Sequence, residues 1–256
     1  MDIITNNPFK EIPQVIFFDL CGTILDSKKL DHEAINYTLE KFNIAPWYIT
    51  RTKKEPTKSM KENFPNFFGE DAHIAYNTYI NYLISNINNI PVFDNVYENL
   101  RILDILKTKS VIITNRDKNF VDALINNEKF QNITPYIDLT ISADEIGITK
   151  PSSKIIDYAL NKLEQPNINK NNIAFIGDAL ADMKTAISYN CIPILLTIST
   201  SDISKNFISA NNSKIYTANS YKEINNCLIN AYTQKHRKNK IELMKYCNIK
   251  DVNLYI

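Results

Sequence analysis

Val15-Ile16-Phe17-Phe18-Asp19-Leu20-Cys21-Gly22-Thr23 is the stretch that decides the fold of this chain. Its first four residues are all β-branched or aromatic. An unbroken apolar run of strand length suits a strand covered on both faces better than one with a wet side. The run ends on an aspartate, with Gly22-Thr23 close behind. Open parallel sheets build their sites beyond the carboxyl ends of their strands, so Asp19 stands where a site would be built.

Outward from this segment, Ser110 to Thr114, Leu139 to Ser142, Ile173 to Ile176 and Ile192 to Leu196 repeat the strand signature, with helix-length stretches between them. Such alternation predicts right-handed βαβ units. The expected fold class is α/β: a doubly wound, Rossmann-like parallel sheet. About 85 residues separate Thr23 from the second strand, too many for a plain crossover, so part of that length must form its own unit. Its patterns are helical, with Ala34, Ile35, Leu39 and Phe42 on one face and Ile74, Tyr79, Leu83 and Ile87 on another. The basic stretch Arg51 to Lys58 reads as a loop or broken helix, and Val96 to Leu106 as the first helix back in the core. The predicted organisation is an α/β core of residues 1–27 plus 91–256 and a helical cap of residues 28–90. A basic helical extension is expected from about Lys235 to Lys250.

The chain of 256 residues, 44% hydrophobic, can bury one large core or one core plus a modest second domain. Its 29 basic and 28 acidic residues create no global field for a polyanion, which argues against a nucleic-acid partner and for a small anion. Four scattered cysteines, Cys21, Cys191, Cys227 and Cys247, fit free thiols in a reducing compartment. With no apolar window of membrane-spanning length and no secretion-type amino terminus, a cytoplasmic protein without a membrane partner is expected. No pattern in the sequence specifies an oligomeric state.

Polar residues recur at the strand ends. After Asp19 come Thr114-Asn115 on the second strand, Lys150-Pro151 before a helix, and Gly177-Asp178 on a later strand with Asp182 four residues on. Glycine adds an independent signal, because a chain with only four glycines keeps them where the backbone needs one. Gly22, Gly147 and Gly177 all lie beside these motifs. Each residue also has a plainer reading: Asp19 as a turn cap, Asp182 as a complement to a helix dipole, Arg51 and its neighbouring lysines as a solvated basic face.

In order and spacing, these segments resemble the four motifs of the haloacid-dehalogenase-like superfamily, over roughly residues 14 to 196. Pro91 to Val96 leading to Val111-Ile112-Ile113-Thr114-Asn115-Arg116 is similar to the phosphoglycolate phosphatase and β-phosphoglucomutase branch, which carries a helical cap at the position of the insertion. The resemblance implies a phosphoric monoester hydrolase acting on a small phosphorylated metabolite. Asp19 would be its nucleophile. Mg2+ would be held by Asp19, Asp178 and the main-chain carbonyl of Cys21, with Asp182 at the metal or orienting Lys150. Lys150, Thr114 and Asn115 would meet the phosphate, and Arg51 is a candidate substrate contact.

One position departs from that pattern. Phosphatases of this superfamily carry a second Asp two residues after the nucleophile, as acid and base, and here that residue is Cys21. General acid–base catalysis contributes about 10²- to 10⁴-fold, so slow turnover is expected. Two alternatives follow: a catalytically impaired member that binds a phosphorylated ligand or a protein, and a 2-haloacid dehalogenase using an arginine such as Arg51. Gly177-Asp178 with Asp182 looks like a metal-binding motif and argues against the dehalogenase.

Overall fold

The computed structural model describes residues 7–45, 54–55, 58–199 and 215–236. Six parallel strands form one sheet in the order β3-β2-β1-β4-β5-β6: β1 Val15–Phe18, β2 Lys109–Thr114, β3 Leu139–Ser142, β4 Ile173–Gly177, β5 Ile192–Leu196 and β6 Tyr216–Ala218. The chain winds outward from β1 through β2 to β3, then returns to the other side of β1 for β4 to β6. The sheet is therefore doubly wound, and its crevice opens beside β1.

Side-chain alternation divides the core into two layers. Val15 and Phe17 face one side with Val111, Ile113, Ile173 and Phe175; Ile16 and Phe18 face the other with Ile112, Ala174 and Ile176. All four β1 residues are buried, as a central parallel strand requires. Helices α4 (Val96–Leu106) and α9 (Tyr221–His236) contribute to the second layer, and α7 (Lys154–Lys162) and α8 (Leu180–Tyr189) to the first. The short helices α5 (Lys118–Ile125) and α6 (Ala143–Ile146) follow β2 and β3.

Between β1 and α4 the described residues form three α-helices, α1 (Lys28–Lys41), α2 (Met60–Phe68) and α3 (Ala72–Ser85). Helix α2 starts on a reciprocal cap. Ser59 Oγ accepts from the Glu62 amide at 3.2 Å, and the Ser59 amide donates to Glu62 Oε2 at 2.7 Å. Phe64 is the hub of this unit, with ring centroids 5.0 Å from Phe68, 5.1 Å from Tyr76 and 5.4 Å from Tyr79. Offset and edge-on aromatic pairs of this kind add to the burial of their area. The expected helical insertion is present, with one helix more than the apolar periodicity marks.

Arg51 and the carboxyl-terminal segment beyond His236 lie outside the described residues. Among the described residues, no helix is long and apolar enough to cross a membrane.

Candidate active site

Strand register brings the motif residues together. Phe18 pairs with Ile112 of β2 and Ile176 of β4, so the residues following β1, β2 and β4 emerge side by side. The Asp19 amide donates to the Ile176 carbonyl at 2.9 Å, which extends the β1–β4 ladder by one step and fixes the aspartate at the strand end. Gly22 follows at φ 86°, a conformation that glycine adopts at little cost, and a Cβ there would collide with the Asp178 carboxylate. Gly177 is constrained in the same way, since its missing Cβ leaves room for Asp182.

Lys150 is the electrostatic centre. Its side chain is 3% exposed, and Nζ donates to Asp19 Oδ1 at 2.5 Å and to Asp182 Oδ1 at 2.7 Å. Burial opposes its charge, but Asp182 and Asp19 more than compensate and lift its pKa above the ordinary lysine value. Asn115 positions the same residue from the main chain: its Oδ1 accepts from the Lys150 amide at 2.9 Å and its Nδ2 donates to the Lys150 carbonyl at 3.0 Å. Thr114, fully buried at the end of β2, accepts from the Arg116 amide at 3.1 Å through Oγ1.

The carboxylates Asp19, Asp178 and Asp182 each place an oxygen within 4.8 Å of the others. Burial, reinforced by Asp19 and Asp182, pushes Asp178 up to about 8. Burial also pushes Asp182 up to about 6, against the pull of Lys150. Asp178 Oδ1 is buried without a hydrogen-bond partner among the described residues. One cation, Lys150, does not balance three clustered carboxylates, and an all-oxygen donor set suits a hard divalent ion such as Mg2+. The residues thus fit a metal at Asp19 and Asp178. Both oxygens of Asp182 are engaged, one by Lys150 and the other by the Ala179 amide at 3.0 Å, which casts it as the group orienting the lysine.

A second cluster borders the first, and its centre, Arg116, carries no signal in the sequence beyond its place after Thr114-Asn115. Arg116 Nε donates to Cys21 Sγ at 3.0 Å, and one terminal nitrogen donates to the Tyr79 hydroxyl at 2.7 Å. The other forms an ion pair with Asp31. Asp31, in the first turn of α1, also accepts from Ser27 Oγ at 2.7 Å and the Tyr79 hydroxyl at 2.5 Å. Burial opposes the charge on Asp31, but Arg116 and these hydrogen bonds hold its pKa below the usual carboxylate value. Burial pushes the Cys21 thiol up to about 11, with Arg116 opposing.

Both clusters line one cleft of about 410 Å³ between the strand ends and the inserted helices. Tyr76, Met60, Lys28, Lys54 and Lys58 form its insertion side.

No curated protein sequence matches the chain. Solved structures do. A predicted phosphatase from Clostridium acetobutylicum is 24% identical with a TM-score of 0.66, covering 84% of this chain and 97% of that one. A predicted phosphoglycolate phosphatase from Haemophilus somnus is 20% identical with a TM-score of 0.67, covering 82% and 96%. CbbY from Rhodobacter sphaeroides, in complex with phosphate, is 16% identical with a TM-score of 0.61, covering 75% and 89%. At these identities the likeness speaks for the fold. The profile of the haloacid dehalogenase-like hydrolases matches residues 16–196, a span that runs from β1 through β5. With Asp19, Thr114, Lys150 and Asp178 converging inside that span, the chain belongs to the haloacid dehalogenase-like hydrolase family.

Proposed function

We propose that this chain is a Mg2+-dependent phosphohydrolase of a small phosphorylated metabolite, working through a phosphoaspartate on Asp19. The observation that carries the reading is the Lys150 ammonium, held 2.5 Å from Asp19 and 2.7 Å from Asp182 beside an Asp178 oxygen that has no partner among the described residues. Phosphoryl transfer asks little covalent chemistry of a protein beyond an in-line nucleophile and countercharge for the phosphoryl oxygens. The phosphate complex of CbbY on the same fold supports an anion of that kind.

Asp19 has one oxygen on Lys150, and the second attacks phosphorus while the bond to the leaving oxygen breaks. Lys150 and the Thr114 hydroxyl meet the phosphoryl oxygens. Asn115 and Asp182 hold Lys150 in place, from its main chain and its ammonium. Asp19, Asp178 and the Cys21 carbonyl would hold Mg2+, which supplies the remaining positive charge. Water then attacks the phosphoaspartate and releases inorganic phosphate. Residues 28–90 act as a cap on a core of residues 1–27 and 91–256, closing the cleft against bulk water.

Phosphate release should be seen across a panel of phosphorylated metabolites with Mg2+, and be lost with EDTA and in Asp19→Asn. Turnover surviving in Asp19→Asn removes Asp19 as nucleophile.

Cys21 favours a second reading, a member that binds phosphorylated ligands with little turnover, because its buried thiol is a poor base. Phosphate with Mg2+ would then raise the melting temperature while no ester is cleaved. The three clustered carboxylates argue against a metal-independent 2-haloacid dehalogenase.

A further inference from the structure

The main-chain carbonyls of the loop that follows β1 are held from several directions. The Leu20 carbonyl accepts from the Ile24 and Leu25 amides, both at 2.9 Å, and the Leu25 carbonyl accepts from the Gly22 amide at 2.7 Å. Two further carbonyls are held by side chains. The Ser199 hydroxyl donates to the Gly22 carbonyl, and the Tyr221 hydroxyl donates to the Thr23 carbonyl at 3.3 Å. Both side chains stand beyond residue 196, where the match to the family ends.

Ser199 lies in the turn after β5, and Tyr221 is the first residue of α9. Hydrogen bonds join the two places into one unit. The Thr197 amide donates to the Ala218 carbonyl at 2.8 Å, and the Thr197 hydroxyl donates to Asn219 Oδ1 at 2.6 Å. Asn219 in turn anchors the start of α9, its amide donating to Glu223 Oε2 at 2.7 Å. A support tied down in this way holds its own side chains to one geometry. Tyr221 is 1% exposed. Burial, reinforced by the charges of Asp19 and Asp178, keeps its phenol well above the ordinary value, so the hydroxyl retains its proton and donates it. Burying a hydroxyl is costly unless it is bonded, and a phenylalanine would fill the same space. Packing therefore does not call for the hydroxyl, whose bond falls on the loop carrying Asp19 and Cys21.

Resting on the phosphohydrolase reading above, we infer that Tyr221 and Ser199 are positioning residues, which fix the Thr23 and Gly22 carbonyls and so hold Asp19 and the Cys21 carbonyl in the geometry that binds Mg2+ and attacks phosphorus. Gly22 shows why such support is needed. A glycine next to Cys21 leaves the backbone free to pivot there, and the Ser199 hydroxyl fixes the peptide that follows it. Neither hydroxyl has to touch the substrate. Each acts through the main chain.

The deciding test is calorimetric titration of the full chain with Mg2+. Wild type is compared with Tyr221→Phe, which removes only the hydroxyl, with Ser199→Ala, and with Ser199→Thr, which keeps a hydroxyl. Tyr221→Phe and Ser199→Ala should each weaken Mg2+ binding about tenfold, as loss of a partner behind a metal ligand does. Ser199→Thr should stay close to wild type. With Mg2+ saturating, the nitrophenolate burst from p-nitrophenyl phosphate should slow in Tyr221→Phe while the half-saturating ester concentration holds, the split expected when only the attack geometry has changed. A Tyr221→Phe variant that melts earlier yet binds Mg2+ as tightly as wild type overturns the inference, because its hydroxyl would then serve stability alone. Should Tyr221→Phe fail to fold, Ser199→Ala against Ser199→Thr decides by the same criterion, and equal Mg2+ affinity in those two overturns it. Failure of the phosphohydrolase reading shows separately, as no phosphate release from any ester by wild type and Cys21→Asp while the differences in Mg2+ affinity stand. No Mg2+ binding by wild type overturns both.

Discussion

Replacing Cys21 with Asp should raise steady-state phosphate release by about 10²- to 10⁴-fold. The Cys21 thiol, pushed up to about 11, keeps its proton at neutral pH even though Arg116 Nε donates to the sulfur at 3.0 Å. At pH 7 only about one thiol in 10⁴ is ionised, so nearly the whole general-base contribution is missing. That is roughly 3 to 5 kcal/mol of barrier, at 1.36 kcal/mol per tenfold. A carboxylate at the same position would accept from the same Arg116 nitrogen and remain available to water. The step affected is breakdown of the phosphoaspartate, since nitrophenolate leaves without help from an acid. In stopped flow with p-nitrophenyl phosphate, wild type should therefore release one nitrophenolate per enzyme in a burst and then turn over slowly. Cys21→Asp should show fast steady release with no burst, and Cys21→Ser should stay slow. Equal steady rates in wild type and Cys21→Asp, or recovery in Cys21→Ser, would refute the reasoning.

Lys150→Met should cost about 3 to 5 kcal/mol of stability near neutral pH, because it leaves buried carboxylates uncompensated; urea denaturation measures this, and a variant as stable as wild type contradicts it. Asp178 and Asp182, at about 8 and about 6, hold protons in the folded chain that the unfolded chain has already released. Without metal, stability should accordingly fall as pH rises from about 4 to about 8. Because Mg2+ competes with those protons, its thermal stabilisation should be larger at pH 8 than at pH 5.5, and a shift independent of pH would count against a metal at Asp178. Ser59→Ala removes one half of the reciprocal cap on α2 and should cost about 1 kcal/mol, read as a lowered melting temperature.

The strands were legible because a doubly covered parallel sheet writes itself as short continuous apolar runs: Val15 to Phe18, Leu139 to Ser142 and Ile192 to Leu196 begin and end where the sequence places them. Asp19, Thr114 and Asp178 were legible because each stands at or next to a strand end, and register does the rest; Lys150 was legible only as part of its motif with Pro151, and it is held in place by Asn115. Helix α2 was not, since Pro65 and two asparagines interrupt its apolar period, although Ser59-Met60-Lys61-Glu62 spells its cap. Strand β6, three residues at the sheet edge, is too short for a pattern. The role of Arg116 was not legible for a different reason. Its partners Asp31 and Tyr79 lie 85 and 37 residues away on separate helices, and no periodicity records where side chains from distant elements meet.

That meeting links the departure at Cys21 to the insertion. A guanidinium only 14% exposed needs a carboxylate, and the thiol beside its Nε carries no charge at neutral pH. Asp31 supplies the countercharge from α1, and Tyr79 from α3 bonds to both members of the pair. Arg116, set at the end of β2, is thus tied to two helices of the insertion through the position where an acid–base residue would act. An Asp introduced at position 21 would compete with Asp31 for the same guanidinium. Two carboxylates sharing one cation hold their protons more tightly than one alone, which would move the introduced group toward the range useful for proton transfer. The same competition weakens the tie between Arg116 and α1. Asp31→Asn beside Cys21→Asp separates the two effects: if sharing matters, the double variant should lose the upward-shifted limb of the pH–rate profile while keeping the single variant's faster phosphate release.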